Sequence, residues 1–234
     1  MIGSRGVIVA GGTGALGREV VACLLGQGAR VAVPYRSREE WEALRAAHGK
    51  EAPLLGVTAD LSDPEAARAF VDQAVGFLGL LDGVAIATGT WSGGKTLEAA
   101  PPEEWDRMMR TNLATVHAVC RAALPHLLKQ GGSVVTVGSK AAETGGAGAA
   151  AYAVSKAAVH ALTRVLALEN RDRGVRFNCV MPLVIDTPAN RRAMPDADHS
   201  SWTKPAAIAE VIAFLLSPAS APITGALVPV DGRG

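Results

Sequence analysis

Apolar residues fall along this chain in two alternating patterns. Short unbroken runs end near Ala10, Val33, Thr58, Ala87, Val137 and Met181, and a last one spans Ala226 to Val230. Runs without polar interruption suit strands buried on both faces, as in a parallel sheet. Between them apolar positions recur at helical spacing, and the first such stretch predicts a helix from Arg18 to Gln27. Strands alternating with helices predict an α/β fold: one doubly wound parallel sheet of about seven strands, with helices on both faces and right-handed crossovers. No internal repeat, low-complexity tail or linker divides the chain, so residues 1–234 read as one domain. Residues 88–101, 141–150 and 183–205 read as long loops, and the Gly/Ala-rich piece from Gly145 to Ala150 as a mobile loop beside a substrate. All three emerge beyond the carboxyl ends of strands, where open sheets bind ligands.

Composition narrows the class. Aromatics make up only 4% of the chain and the net charge is +1, with no basic cluster longer than Arg191-Arg192. Nothing there calls for a nucleic-acid or membrane partner. No apolar run approaches the ~20 residues of a membrane span, and Met1-Ile-Gly enters the first strand at once, leaving no room for a signal peptide. The expected location is the cytoplasm. Cys23, Cys120 and Cys179 sit in apolar contexts without metal-ligand spacing, which predicts buried, reduced thiols and no metal site.

Two motifs carry chemistry. Gly6-Val-Ile-Val-Ala10 runs into Gly11-Gly-Thr13-Gly14-Ala15-Leu16-Gly17 and then a helix. Strand, glycine turn and helix in that order suit a Rossmann-type dinucleotide site: glycines permit a tight turn and close backbone approach, and a helix N-terminus attracts pyrophosphate. Tyr152-Ala-Val-Ser155-Lys156 places a phenol and an ammonium four residues apart in Ala-rich sequence that reads as helix. Side chains at that spacing share a face, and a cation close to a phenol favours the phenolate, so Tyr152 reads as a general acid tuned by Lys156.

Cofactor choice is argued from the end of the second strand, Val31-Ala-Val-Pro-Tyr35-Arg36-Ser37-Arg38. A carboxylate here would bind a ribose 2′-hydroxyl and repel a 2′-phosphate. Tyr35 stands in that place, and the Arg36 guanidinium beside the Ser37 hydroxyl suits a phosphate, so NADP is favoured over NAD. The alternative is that Arg36 and Arg38 only solvate a helix start rich in Glu39 and Glu40.

With these motifs the chain resembles the short-chain dehydrogenases/reductases over essentially its whole length. Ser139, thirteen residues before Tyr152, matches that family's catalytic serine, and Asn112 in Arg110-Thr-Asn-Leu113, within a long helical stretch, matches its catalytic asparagine. The resemblance implies that Ser139 holds the substrate carbonyl, Tyr152 exchanges the proton, Lys156 lowers the phenol pKa and binds the nicotinamide ribose, and Asn112 holds a water leading from Lys156 to solvent. It also implies cofactor contacts at Asp60 and Leu61 for adenine, at Ala87 and Gly89 after the fourth strand, and at Pro182, Ile185 and Thr187 near the nicotinamide. His117 and His160 read as helix residues, since neither has a partner at ligand spacing.

The chain departs from the family pattern in three places. Ala15 stands where the usual glycine would be, Ile86-Ala-Thr-Gly89 replaces Asn-Asn-Ala-Gly, and Leu183 replaces a glycine, which reshapes the floor under the nicotinamide. The segment from Asp186 to Thr203 is similar to the dihydropteridine reductase branch. Three functions follow: an NADP-dependent carbonyl reductase or alcohol dehydrogenase acting on a small molecule, a pteridine-type reductase, or a non-catalytic dinucleotide-binding protein. The resemblance further implies a homodimer or homotetramer.

Overall fold

A computed structural model describes residues 2–232; Met1, Arg233 and Gly234, included in the expected domain of 1–234, lie outside them. The strands are β1 (Gly6–Ala10), β2 (Arg30–Tyr35), β3 (Leu54–Thr58), β4 (Gly83–Ile86), β5 (Gly132–Val137), β6 (Val175–Pro182) and β7 (Leu227–Val230). They form one parallel sheet in the order β3-β2-β1-β4-β5-β6-β7. The order reverses between β1 and β4, which opens a crevice at their carboxyl ends.

The sheet divides the core in two because successive strand side chains point to opposite faces. Ile8 and Ala10 of β1 pack with Phe70, Val116 and Val159, from α3 (Pro64–Leu78), α5 (Thr115–Leu127) and α7 (Ala150–Asn170). Val7 and Val9 pack with Val20, Leu44 and Ile212, from α1 (Ala15–Gly26), α2 (Arg38–His48) and α9 (Pro205–Leu216). Each of the Val, Leu, Ile and Phe side chains, withdrawn from water, contributes roughly 1.5–3 kcal/mol.

Three local features differ from the sequence reading. Helix α1 starts at Ala15, not Arg18, because Gly14 already turns the chain as N-cap and Ala15 and Leu16 are strong helix formers. Asn112 sits not in regular helix but in a π-helical stretch, Met109–Ala114, between α4 (Pro102–Met108) and α5. Residues 183–205 are not one loop. They hold α8 (Pro188–Ala193), capped by the Thr187 hydroxyl, and a 3₁₀ turn at His199–Ser201. The Arg191 guanidinium grips Asp186 through two bonds of 2.5 and 2.8 Å, and the Asp186 N–H donates to the Thr203 carbonyl at 2.9 Å. A six-residue helix is too short to show periodicity. The short helix α6 (Ala141–Thr144) precedes the Gly/Ala-rich loop, whereas 88–101 carries neither helix nor strand.

Candidate active site

The glycine turn is fixed by steric necessity at Gly17, where an added Cβ would lie 1.9 Å from the Gly11 carbonyl oxygen. That contact brings α1 hard against the turn, as a dinucleotide site requires. Ala15 is tolerated because it is the first residue of α1. Helices α2 and α3 have side-chain caps, Ser37 and Asp63; α1 has no side-chain cap and no acidic residue in its first turn. Its first N–H groups therefore face outward as an anion site.

Above this turn opens a cavity of about 1120 Å³ lined by Gly11, Thr13, Gly14, Tyr35, Arg36, Asp60, Leu61, Ala87 and Gly89. These residues fit a dinucleotide: a glycine cradle, an uncapped helix end and a crevice at the switch point. Leu16 and Gly17 are buried behind the wall, and Ala15, Ser37, Pro182, Ile185 and Thr187 are not part of it. Leu183 is 56% exposed.

At the cavity's β2 end the expected phosphate group of residues is divided. Arg36 is exposed on the cavity. The Ser37 hydroxyl instead accepts the Glu40 N–H at 3.3 Å to cap α2, and Arg38 pairs with Glu42 at 2.7 Å. Asp60 is held below the ordinary carboxylate value, chiefly by backbone and hydroxyl bonds from Ser62 and less by the charges of Arg36 and Arg110. One residue was missed from sequence: Glu40 lines the cavity and accepts the Thr13 hydroxyl at 3.0 Å. Its only signal is the Ser37-x-x-Glu40 spacing of a capping box, which places it in the first turn of α2 without saying that it reaches Thr13.

The four candidate catalytic residues lie beyond the Gly89 end of the cavity, not on its wall. Gly89 has φ +152, and an added Cβ would meet Lys156 Nζ at 2.9 Å and Asn112 Oδ1 at 3.1 Å, so the backbone there passes directly over both. Asn112 is fully buried. It accepts the Thr90 N–H at 2.8 Å and donates to the Thr90 carbonyl at 3.0 Å and to Ser155 Oγ at 2.9 Å. Both its amide hydrogens are thus engaged, tying the 88–101 loop to α7.

Tyr152 and Lys156 lie one turn apart on α7. Burial raises the phenol above its ordinary value, opposed only by the Ser139 hydroxyl. Lys156, buried against β5, is pushed down to about 8 by desolvation, and its Nζ donates to the Val137 carbonyl at 2.8 Å. Helical spacing brings the two residues to one face, and the ammonium is bonded to the strand end. His160, a helix residue as expected, accepts the Ser139 backbone N–H on its Nε2 at 3.3 Å. Among the described residues no cluster of metal-ligating side chains occurs and no helix is long and apolar enough to cross a membrane.

A family model described as Enoyl-(Acyl carrier protein) reductase matches residues 11–232. The 4-formylbenzenesulfonate dehydrogenase of Comamonas testosteroni is 38% identical over 76% of this chain and 76% of its own. The 3beta-hydroxysteroid dehydrogenase 1 of Eggerthella lenta is 32% identical over 97% of this chain and 92% of its own. Among solved structures, the 3-ketoacyl-(acyl-carrier-protein) reductase of Brucella melitensis, complexed with NADH, superposes with a TM-score of 0.89 at 26% identity, covering 99% of this chain and 98% of its own. The glycine turn, the crevice at the β1/β4 reversal and these matches lead to one conclusion: the chain belongs to the short-chain dehydrogenase/reductase family of oxidoreductases.

Proposed function

We propose that this protein is an NADP-linked oxidoreductase that interconverts a small carbonyl compound and its alcohol. The observation that carries the reading is the convergence of Ser139, Tyr152 and Lys156 at the end of β5, with Lys156 and Asn112 under the backbone of Gly89 at one end of a dinucleotide-sized cavity.

Bound in that cavity, a nicotinamide dinucleotide supplies or accepts the hydride. Ser139 hydrogen-bonds the carbonyl oxygen and orients it. Tyr152, with its phenol held protonated by burial, gives the oxygen its proton in reduction. The Ser139 and Tyr152 donors are held in place before charge develops on that oxygen, which is the condition for electrostatic stabilisation. Lys156 binds the ribose, and Asn112 braces Thr90 so that Gly89 stays over Lys156. Arg36 takes the 2′-phosphate. The exposed Trp91 and Met194 give the substrate an apolar wall.

Titration of the protein with NADPH and NADH, followed by fluorescence, tests the cofactor half. NADPH binds at least tenfold tighter, about 1.4 kcal/mol, and Arg36→Ala abolishes the difference; equal affinities for the wild type would sink the NADP reading. A carbonyl screen with Tyr152→Phe as control tests the chemistry, with quinonoid dihydropterin among the substrates. Tyr152→Phe loses roughly 10²–10⁴-fold in turnover.

A further inference from the structure

The turn after β5 carries four successive backbone N–H groups, and each has a named acceptor. Gly138 donates to the Val180 carbonyl at 2.9 Å, Lys140 to the Pro182 carbonyl at 3.0 Å and Ala141 to the Ser139 hydroxyl at 3.2 Å. The Ser139 N–H goes to His160 Nε2 at 3.3 Å. Three of these acceptors are fixed in kind. The fourth can take a proton and cease to be an acceptor.

His160 is held where it can play that part. It lies on α7 one turn after Lys156 and two after Tyr152, so all three share a helix face. The ring is only 6% exposed and is wedged against the peptide before Ser139: an added Cβ on Gly138 would fall 2.2 Å from His160 Nε2 and 2.8 Å from Cys179 Sγ. To accept from the serine, the ring must be neutral with its proton on Nδ1.

We propose that His160 is a positioning residue for Ser139: its uncharged Nε2 holds the serine backbone at the end of β5, and protonation of the ring releases it. The inference rests on the role given to Ser139 above. A protonated ring would present N–H to N–H, and the Ser139 hydroxyl, one residue from the wedge, would lose its registry with Tyr152. The charged and titratable groups around the ring are Glu143 of α6, Lys156 and Arg164 of α7, and Cys179 of β6. Burial lowers the imidazole from its ordinary value; Glu143 opposes this, and Lys156 and Arg164 add to it. The ring is therefore neutral at neutral pH, and the loss falls on the acid side of the profile.

The test compares wild type, His160→Ala, His160→Gln and Ser139→Ala, alone and with His160→Ala, for kcat, its pH profile and the NADPH dissociation constant. Loss of a supporting partner costs roughly 10–100-fold in activity. His160→Ala should lose at least tenfold in kcat with NADPH affinity unchanged. His160→Gln, which keeps an acceptor near Nε2 but does not titrate, should recover most of the activity and lose the acid limb. In the Ser139→Ala background, His160→Ala should cost nothing further. An unchanged kcat in His160→Ala, or equal losses in His160→Ala and His160→Gln, overturns the proposal. A readout independent of catalysis separates this from failure of the Ser139 assignment. In the wild type the backbone amide resonance of Ser139 should shift with the protonation of His160. If Ser139→Ala is fully active, the assignment of Ser139 to catalysis falls, and an amide that ignores His160 overturns the positioning as well. The amide titration also decides if His160→Ala fails to fold.

Discussion

Lys156 Nζ, on helix α7, donates at 2.8 Å to the carbonyl oxygen of Val137, 19 residues earlier at the end of β5. This bond joins the candidate proton-transfer helix to the sheet edge that carries Ser139.

The buried ammonium should be a stability liability. Its folded value, about 8, lies below the ordinary 10.5, so between those limits the unfolded chain holds the extra proton and stability rises with pH. Lys156→Met should stabilise the protein at pH 7 by about 1–2 kcal/mol, after allowance for the lost Val137 bond. The difference from wild type should shrink as pH climbs past 8, while activity is lost. Denaturant unfolding at several pH values reads this; a destabilised variant at neutral pH would show that the lysine is not strained by burial.

The phenol of Tyr152 should ionise above the ordinary value of 10.0 in the free protein. The chain has two tyrosines, so Tyr35→Phe leaves Tyr152 as the sole phenol and its absorbance can be followed directly. Ionisation at or below the ordinary value would mean that Lys156 reaches it in solution. The raised value also sets direction: the protonated form that reduction needs persists through neutral pH, and alcohol oxidation should accelerate as pH rises.

Glu40 places a carboxylate on the same cavity as Arg36, held by the Thr13 hydroxyl at 3.0 Å. It opposes any second phosphate on the dinucleotide. Glu40→Gln should tighten NADPH several-fold, of the order of 1 kcal/mol, and leave NADH within twofold. If both nucleotides respond alike, Glu40 does not face the 2′-position.

Val154, Val165 and Leu168 are 44%, 50% and 67% exposed on α7, and their spacing aligns them along one side of the helix. Apolar residues gathered on one face suit contact with a second copy. Val165→Glu with Leu168→Glu should lower the molar mass in solution, measured by light scattering, to that of a single 24.0 kDa chain. An unchanged mass would place any subunit contact elsewhere.

Much of this molecule was determined by the sequence alone, and the reason is that those features depend on near neighbours. Unbroken apolar runs made strands buried on both faces, and β1 splits its side chains between two core layers because strand geometry leaves no alternative. The glycine turn and the Tyr152–Lys156 spacing are local in the same sense. Tertiary structure decided what depends on groups distant in the chain. That Lys156 bonds the Val137 carbonyl, Asn112 the Thr90 backbone and His160 the Ser139 N–H was set by what each side chain meets 19 to 22 residues away. The π-helical stretch around Asn112 and the six-residue α8 also escaped the sequence. Neither is long enough to leave a period, and both are held by contacts that exist only once the sheet has brought the loops together.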